Sequence, residues 1–264
     1  RSALPVDRGS EADMNLAVQD KTVIVTGASS PDGIGFAIAR GFAAAGARVA
    51  MMDVRQGGAQ RLAAMIGGAA RGYTCDAADR AACDALAADV LGAWGRIDIL
   101  VNNAGITQPR KVTEIDAADY DLVMDNNLRG TLHMSQAVIP AMVARGAGSI
   151  ICIASVAAQR GGGYVGGAHY AASKGGVLGL VKGMARELGP GGVRVNAVNP
   201  GVIITDMNRD AFDEAGKRRI ADSIPLGRFG RPEDVVGACL FLGSDLSAYV
   251  TGAAIDVNGG IHIH

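Results

Sequence analysis

Tyr170 and Lys174, in the run Tyr170-Ala171-Ala172-Ser173-Lys174, stand four residues apart, so a helix would stack a phenol and an ammonium on one face. That pairing can make a base. An unperturbed phenol titrates near ~10, and taking a proton from an alcohol near neutrality asks for a roughly thousandfold gain in acidity, or about 4 kcal/mol. A unit charge about 4 Å away, at an effective dielectric near 20, interacts by roughly 4 kcal/mol and favours the phenolate. Taken alone, the pair fits an ordinary surface helix better. The rest of the chain tips the balance.

The elements that must position the pair follow a regular rhythm. Short β-branched or apolar runs at 22–26, 48–52, 72–75, 97–101, 149–154, 193–198 and 254–257 read as strands. Between them, residues 34–45, 56–66, 78–94, 117–144, 170–188 and 232–243 read as helices, the last opening on Pro232. Alternation of this kind predicts a single α/β domain, a doubly wound parallel sheet of about seven strands with helices on both faces. Residues 14–264 form that domain in this reading. Residues 1–13 are polar and aperiodic, and Met14 directly precedes the pattern, so the expectation is a native start at Met14 preceded by a tag or disordered segment.

The first strand runs into Thr26-Gly27-Ala28-Ser29-Ser30-Pro31-Asp32-Gly33-Ile34-Gly35 and then a helix. Glycines permit the sharp turn, and a helix N-terminus offers unpaired N–H groups and a positive dipole end to a pyrophosphate. Asp53 ends the second strand, where a carboxylate can bind the adenosine ribose diol. A 2′-phosphate about 5 Å away would be repelled by roughly 3 kcal/mol per unit charge, which predicts NAD over NADP unless Arg55 swings over the ribose. Asp53 could instead cap a turn. Asn102-Asn103-Ala104-Gly105 follows the fourth strand with small, turn-forming residues that can pass beneath a cofactor. Asp76, after the third strand, could accept from an adenine amino group or serve as a helix N-cap.

Composition excludes several classes. The 264 residues are 49% hydrophobic, enough for a large core, and 25 basic side chains against 26 acidic ones leave a formal net charge of -1. No basic run tracks a phosphate backbone, so no nucleic-acid partner is expected. No uninterrupted apolar stretch is long enough for a membrane span, and the charged N-terminus lacks the apolar core of a secretory signal. Cys75, Cys83, Cys152 and Cys239 show no Cys-x-x-Cys spacing, which fits reduced thiols in a cytoplasmic protein. His262 and His264 alternate at the end of the chain, but no third ligand is identifiable, so no metal is assigned.

With the glycine loop, Asn-Asn-Ala-Gly and Tyr-x-x-x-Lys in this order, the chain resembles the short-chain dehydrogenase/reductase family over essentially all of residues 16–260. Asn127-Leu128-Arg129-Gly130, Ser155-Val156, Asn199-Pro200-Gly201 with Thr205, and Asp256-Val257-Asn258-Gly259-Gly260 extend the resemblance. It implies a Rossmann-type domain, a nicotinamide cofactor, and hydride transfer between a secondary alcohol and a ketone. The implied catalytic set is Asn127, Ser155, Tyr170 and Lys174. Tyr170 would exchange the proton, Ser155 would stabilise the substrate oxygen, Lys174 would lower the phenol pKa and reach the nicotinamide ribose, and Asn127 would hold a water leading from Lys174 to solvent. The implied cofactor contacts are Gly27, Ser29, Ser30, Gly33, Ile34, Gly35, Asp53, Val54, Asp76, Asn103, Ala104, Gly105, Tyr170, Lys174, Pro200, Gly201, Val202 and Thr205. A homotetramer joined through the two long central helices and the C-terminal strand region is implied as well.

Two departures from the family pattern carry expectations. Five residues, 28–32, separate the first two loop glycines where three are usual, and Pro31 and Asp32 should bulge toward solvent. The longer loop suggests enoyl reductase relatives, but those place a tyrosine seven residues before the lysine, and Gly167 stands there. Ser155 precedes Tyr170 by 15 residues where 13 is common, the extra length falling in the glycine-rich stretch 161–167, which should shape the substrate pocket. Gln159, Arg160, Tyr164, His169, Val202 and the lid-like segment 206–223 are the other pocket candidates. Arg160 and Arg209 could meet an anionic group or simply be solvated. The leading substrate class is a small polar secondary alcohol: a polyol, sugar or hydroxy acid. The runner-up is a 3-oxoacyl group on a carrier protein, and a catalytically silent dinucleotide-binding regulator is the reading of another class.

Overall fold

The computed structural model describes residues 18–162, 164–209 and 211–263. The expected remnant at 1–13 lies outside the described residues. Seven parallel strands, β1 (Thr22–Thr26), β2 (Arg48–Asp53), β3 (Ala70–Thr74), β4 (Ile99–Asn102), β5 (Gly148–Ile153), β6 (Val193–Pro200) and β7 (Ala254–Val257), form one sheet in the order β3-β2-β1-β4-β5-β6-β7. The order reverses between β1 and β4, and ligands in such sheets bind at the carboxyl ends beside that reversal.

Strands β1, β2, β4, β5 and β6 are buried on both sides because helices cover both faces, while the edge strands β3 and β7 are partly exposed. Val23, Val25, Val101 and Ile151 point toward α1 (Ile34–Ala44), α2 (Gly58–Ile66) and α9 (Pro232–Gly243), where Phe42, Leu62 and Leu242 pack against them. Ile24, Leu100, Ile150 and Val195 point to the other face, against Val90 of α3 (Arg80–Trp94), Met134 of α5 (Gly130–Arg145) and Val181 of α7 (Ala168–Leu188). Period-two alternation within a strand thus feeds two separate cores.

Differences from the sequence expectation have local causes. Asp79 caps α3 by accepting from the Ala81 and Ala82 amides at 2.9 and 3.2 Å, which delays that helix to Arg80. The helix expected over 117–144 is not continuous: α4 (Ala117–Met124) passes into α5 through a π-helical turn, Asp125–Arg129. That extra residue in the turn carries Asn127 inward, where it is fully buried. Finally, the segment expected as an irregular lid contains a helix, α8 (Glu214–Asp222), started by Asp213 accepting from the Gly216 amide at 2.7 Å.

Candidate active site

The β1–α1 loop is built by close approach. Gly27 has φ +65°, and a Cβ there would lie 2.7 Å from the Ala104 Cα; at Gly35 it would lie 2.4 Å from the Gly27 carbonyl and 2.6 Å from the Asn103 amide nitrogen. Asn103 donates to the Thr26 and Gly27 carbonyls at 2.9 and 3.0 Å, and Thr26 Oγ1 accepts from the Asn103 and Ala104 amides. Loop and Asn-Asn-Ala-Gly turn therefore lock together across the top of β1 and β4. Gly33 precedes α1 with no side-chain cap, and Gly33 and Ile34 line the cleft, so the first-turn N–H groups there lack a capping side chain. Pro31 and Asp32 face solvent as expected, and Asp32 forms an ion pair with Arg209. The Ser30 hydroxyl donates to Asp206 at 2.5 Å, so the long loop is tied twice to the segment that follows β6.

Asp53, 6% exposed, accepts from the Ser29 amide at 3.2 Å and from the Arg55 amide and Nε at 3.0 and 3.2 Å. Burial works to raise its pKa, but Arg55 and Ser29 outweigh burial and hold the carboxyl below its usual value. Arg55 thus sits on the carboxylate, and both side chains line the cleft. Asp76 spends one oxygen on the Ala78 amide at 2.9 Å while also lining the cleft; it is not the cap of α3.

α7 starts two residues before Tyr170, so the phenol and the amine share one helical face, with Lys174 Nζ 6.0 Å from the Tyr170 ring centroid. Lys174, 4% exposed, donates to the Ile153 carbonyl at the end of β5 at 2.8 Å. Burial pulls its pKa down to about 8. Burial also pushes the Tyr170 phenol above its ordinary value, opposed by a hydrogen bond with Ser155. The expectation that the lysine by itself makes the phenol acidic is thus corrected. Desolvation acts against both charged forms and is the largest influence on each.

Ser155 follows β5 and accepts from the Ala157 amide at 3.1 Å, which fixes its hydroxyl at the start of the one-turn helix α6 (Ala157–Arg160). Asn127 Oδ1 accepts from the Ile106 amide at 2.8 Å, and its amide donates to the Ile106 carbonyl and to Ser173 Oγ, each at 2.9 Å. Ser173 in turn donates to the Tyr170 carbonyl at 2.7 Å. The Asn127 side chain therefore couples the loop after β4 to the helix that carries Tyr170. Ser173 and Ile106 were not singled out from sequence, because nothing in their own spacing marks them.

One cleft of about 1020 Å³ joins these parts. Gly27, Ser30, Gly33, Ile34, Asp53, Val54, Asp76, Asn103, Ala104 and Gly105 line one half; Ser155, Tyr170, Lys174, Pro200, Gly201, Val202 and Thr205 line the other. Ser29, Gly35 and Asn127 do not line it and are buried behind its wall. Val156 donates its amide to the Pro200 carbonyl and Gly201 donates to that of Val257, each at 3.0 Å, so backbone forms this wall. Arg160 and Tyr164 also line the cleft. Gln159 and His169 do not: Gln159 turns to Asp256 at 3.3 Å, and His169 is buried against Gln108 at 3.1 Å. Opposite Tyr164, Phe212 meets its ring edge-on at 6.3 Å and stacks on Phe229 at 6.5 Å, forming an aromatic flank.

A family model described as "Enoyl-(Acyl carrier protein) reductase" matches residues 27–262. The chain belongs to the short-chain dehydrogenase/reductase family. It is 50% identical over 253 residues to an uncharacterized short-chain type dehydrogenase/reductase of Sinorhizobium fredii, covering 94% of this chain and all of that one. It is 41% identical to the D-threitol dehydrogenase of Mycolicibacterium smegmatis, covering 95% of this chain and 96% of the relative. A solved structure from Beutenbergia cavernae, assigned as an NAD(P)-dependent gluconate 5-dehydrogenase with NADP bound at low occupancy, superposes with TM-score 0.87 at 39% identity, over 94% and 98% of the two chains. As a short-chain dehydrogenase/reductase, the protein is an NAD(P)-dependent oxidoreductase acting on CH–OH groups. No helix among the described residues is long and apolar enough to cross a membrane, and among them no group of three or more His, Cys, Asp or Glu side chains could hold a metal ion.

Proposed function

We propose that this chain is an NAD-dependent dehydrogenase of small polar secondary alcohols. The observation that carries this reading is the meeting of Ser155, Tyr170 and Lys174 in the same cleft that the Gly27–Gly35 loop opens onto. The residues fit a dinucleotide: uncapped N–H groups at α1 for a pyrophosphate, Asp53 for a ribose diol, and backbone at Pro200 and Gly201 for a flat ring. When bound, nicotinamide supplies the acceptor for the hydride leaving the carbinol carbon, and the positive charge of its oxidised ring favours the phenolate.

The chain's own residues do the rest. Tyr170 takes the hydroxyl proton on its phenolic oxygen as charge builds on the substrate oxygen, and the Ser155 hydroxyl donates to that same oxygen. Lys174, fixed at one point by the Ile153 carbonyl, retains two further N–H donors for a ribose and keeps positive charge on the phenol's side of the cleft. Asn127 holds the Ile106 turn and Ser173, and through Ser173 the register of the helix at Tyr170. Asp53 favours NAD, and Arg55 narrows that preference by neutralising part of its charge.

Reduction of a carrier-bound 3-oxoacyl group is the second reading; against it, the segment after α7 is Gly189-Pro190-Gly191-Gly192, with no basic residue to meet an acidic carrier. A silent regulator would have no need of a complete Ser, Tyr and Lys set. A homotetramer in the cytoplasm completes the proposal. The test is direct: protein supplied with NAD and a panel of polyols, sugars and hydroxy acids should raise the absorbance of reduced nicotinamide. Tyr170→Phe should abolish turnover while NAD still binds; undiminished turnover in that variant would remove Tyr170 from the mechanism.

A further inference from the structure

We infer that Arg160 is a specificity-determining residue and that the preferred substrate is a hydroxy acid, its carboxylate held by the Arg160 guanidinium. The inference rests on the dehydrogenase reading above and narrows its substrate class.

Charge is unevenly distributed in the cleft. Asp53, Arg55 and Asp76 line the half assigned above to the ribose diol. Asp206 lines it too, but accepts from Ser30 at 2.5 Å and pairs with Arg209 at 3.4 Å. Arg209, the other arginine considered from sequence, is drawn out to Asp32 and Asp206. Around the substrate half, the described residues leave two cations, Lys174 and Arg160. Lys174 is buried beside Tyr170, with one donor on the Ile153 carbonyl and the other two assigned above to a ribose.

Arg160 has no carboxylate partner among the described residues; its contact is a donation from Nη1 to the Ile261 carbonyl at 3.5 Å, the outer limit of a hydrogen bond. Its planar fork is thereby left for a bidentate acceptor. Ser155 stands two residues before the one-turn helix α6 and Arg160 ends it, and both line the cleft, so a carboxylate on Arg160 and a carbinol on Ser155 can belong to one small molecule. A monoester phosphate carries close to two charges at neutral pH; one exposed guanidinium matches a carboxylate better. Tyr164, half-exposed on the same half of the cleft, offers a ring face and a hydroxyl for the carbon chain in between.

The experiment compares kcat/KM with NAD for three matched substrates: a neutral polyol, the hydroxy acid of equal chain length, and the corresponding phosphate ester. Each is measured with the natural protein, Arg160→Gln and Arg160→Lys. The expected result is a hydroxy acid preferred at least tenfold, that preference lost in Arg160→Gln through KM and partly kept in Arg160→Lys. The ratio of acid to polyol kcat/KM is the readout, and NAD binding retained in both variants reports that they fold. Equal use of acid and polyol by the natural protein would overturn the inference while leaving the dehydrogenase reading intact, as would a loss in Arg160→Gln that is the same for both substrates. Preference for the phosphate ester would overturn the assignment of a carboxylate. Failure to oxidise any of the three would remove the dehydrogenase reading itself, and this inference with it.

Discussion

Lys174 should cost the fold stability at neutral pH, and the cost should fade as pH rises. The folded chain gives up the Lys174 proton near 8, whereas the ordinary value of 10.5 applies when the chain is unfolded. At about 1.4 kcal/mol per tenfold change in proton affinity, burying the ammonium costs about 3 kcal/mol when it is fully charged. Between the two pH values the unfolded state binds more protons than the folded one, so stability rises with pH in that window; below 8 the full penalty stands. Lys174→Met removes the titrating group and keeps most of the volume. Urea unfolding of cofactor-free protein, natural and variant in parallel from pH 7 to 9.5, isolates the effect because the other titrating groups are common to both. The natural protein should gain roughly 2 kcal/mol on the variant over that range. A difference that stays constant within about 0.5 kcal/mol would refute the claim that desolvation governs this amine. It would also point to water reaching Nζ beside the Ile153 carbonyl.

Three further outcomes follow from the site. Asp53→Ser should shift the ratio of kcat/KM for NADP to NAD upward by on the order of tenfold or more, and Arg55→Ala should shift it downward, because the guanidinium on Asp53 no longer offsets the repulsion of a 2′-phosphate; steady-state kinetics with both cofactors decides. Asp32→Ala should raise the KM for NAD by no more than about fivefold, since an exposed ion pair is worth about 1 kcal/mol or less, and should speed proteolytic cutting between residues 205 and 223. Gly35→Ala should cost about 1–3 kcal/mol in thermal or urea unfolding and lose NAD binding, because its Cβ would collide with the Gly27 carbonyl and only backbone could yield.

How much of the fold and site could be read in advance depended on how local each cause is. Strands β1 and β7 and helix α9 lie where alternation and Pro232 put them, because apolar period and a helix-starting residue are properties of a few neighbours. The four-residue step from Tyr170 to Lys174 fixes a shared face once α7 forms, and the glycines at 27, 33 and 35 announce a turn that needs backbone close to a ligand. The π turn at Asp125–Arg129 was not legible, since a helical pattern continues through it and only the packing of Asn127 against Ile106 and Ser173 selects the extra residue.

By itself, then, the sequence determined the doubly wound sheet, the place of the glycine loop and the chemical types of the candidate side chains, because these follow from spacing along the chain. Tertiary structure alone decided their electrostatics and their company. The sign of the Tyr170 shift came from burial, not from its helical neighbour; Arg55 was set on Asp53, and Arg209 was drawn to Asp32 while Arg160 was left facing the cleft. Desolvation and ion pairing are sums over everything nearby in space, and residues 32 and 209 become neighbours only after the sheet has brought the ends of β1 and β6 to the same edge.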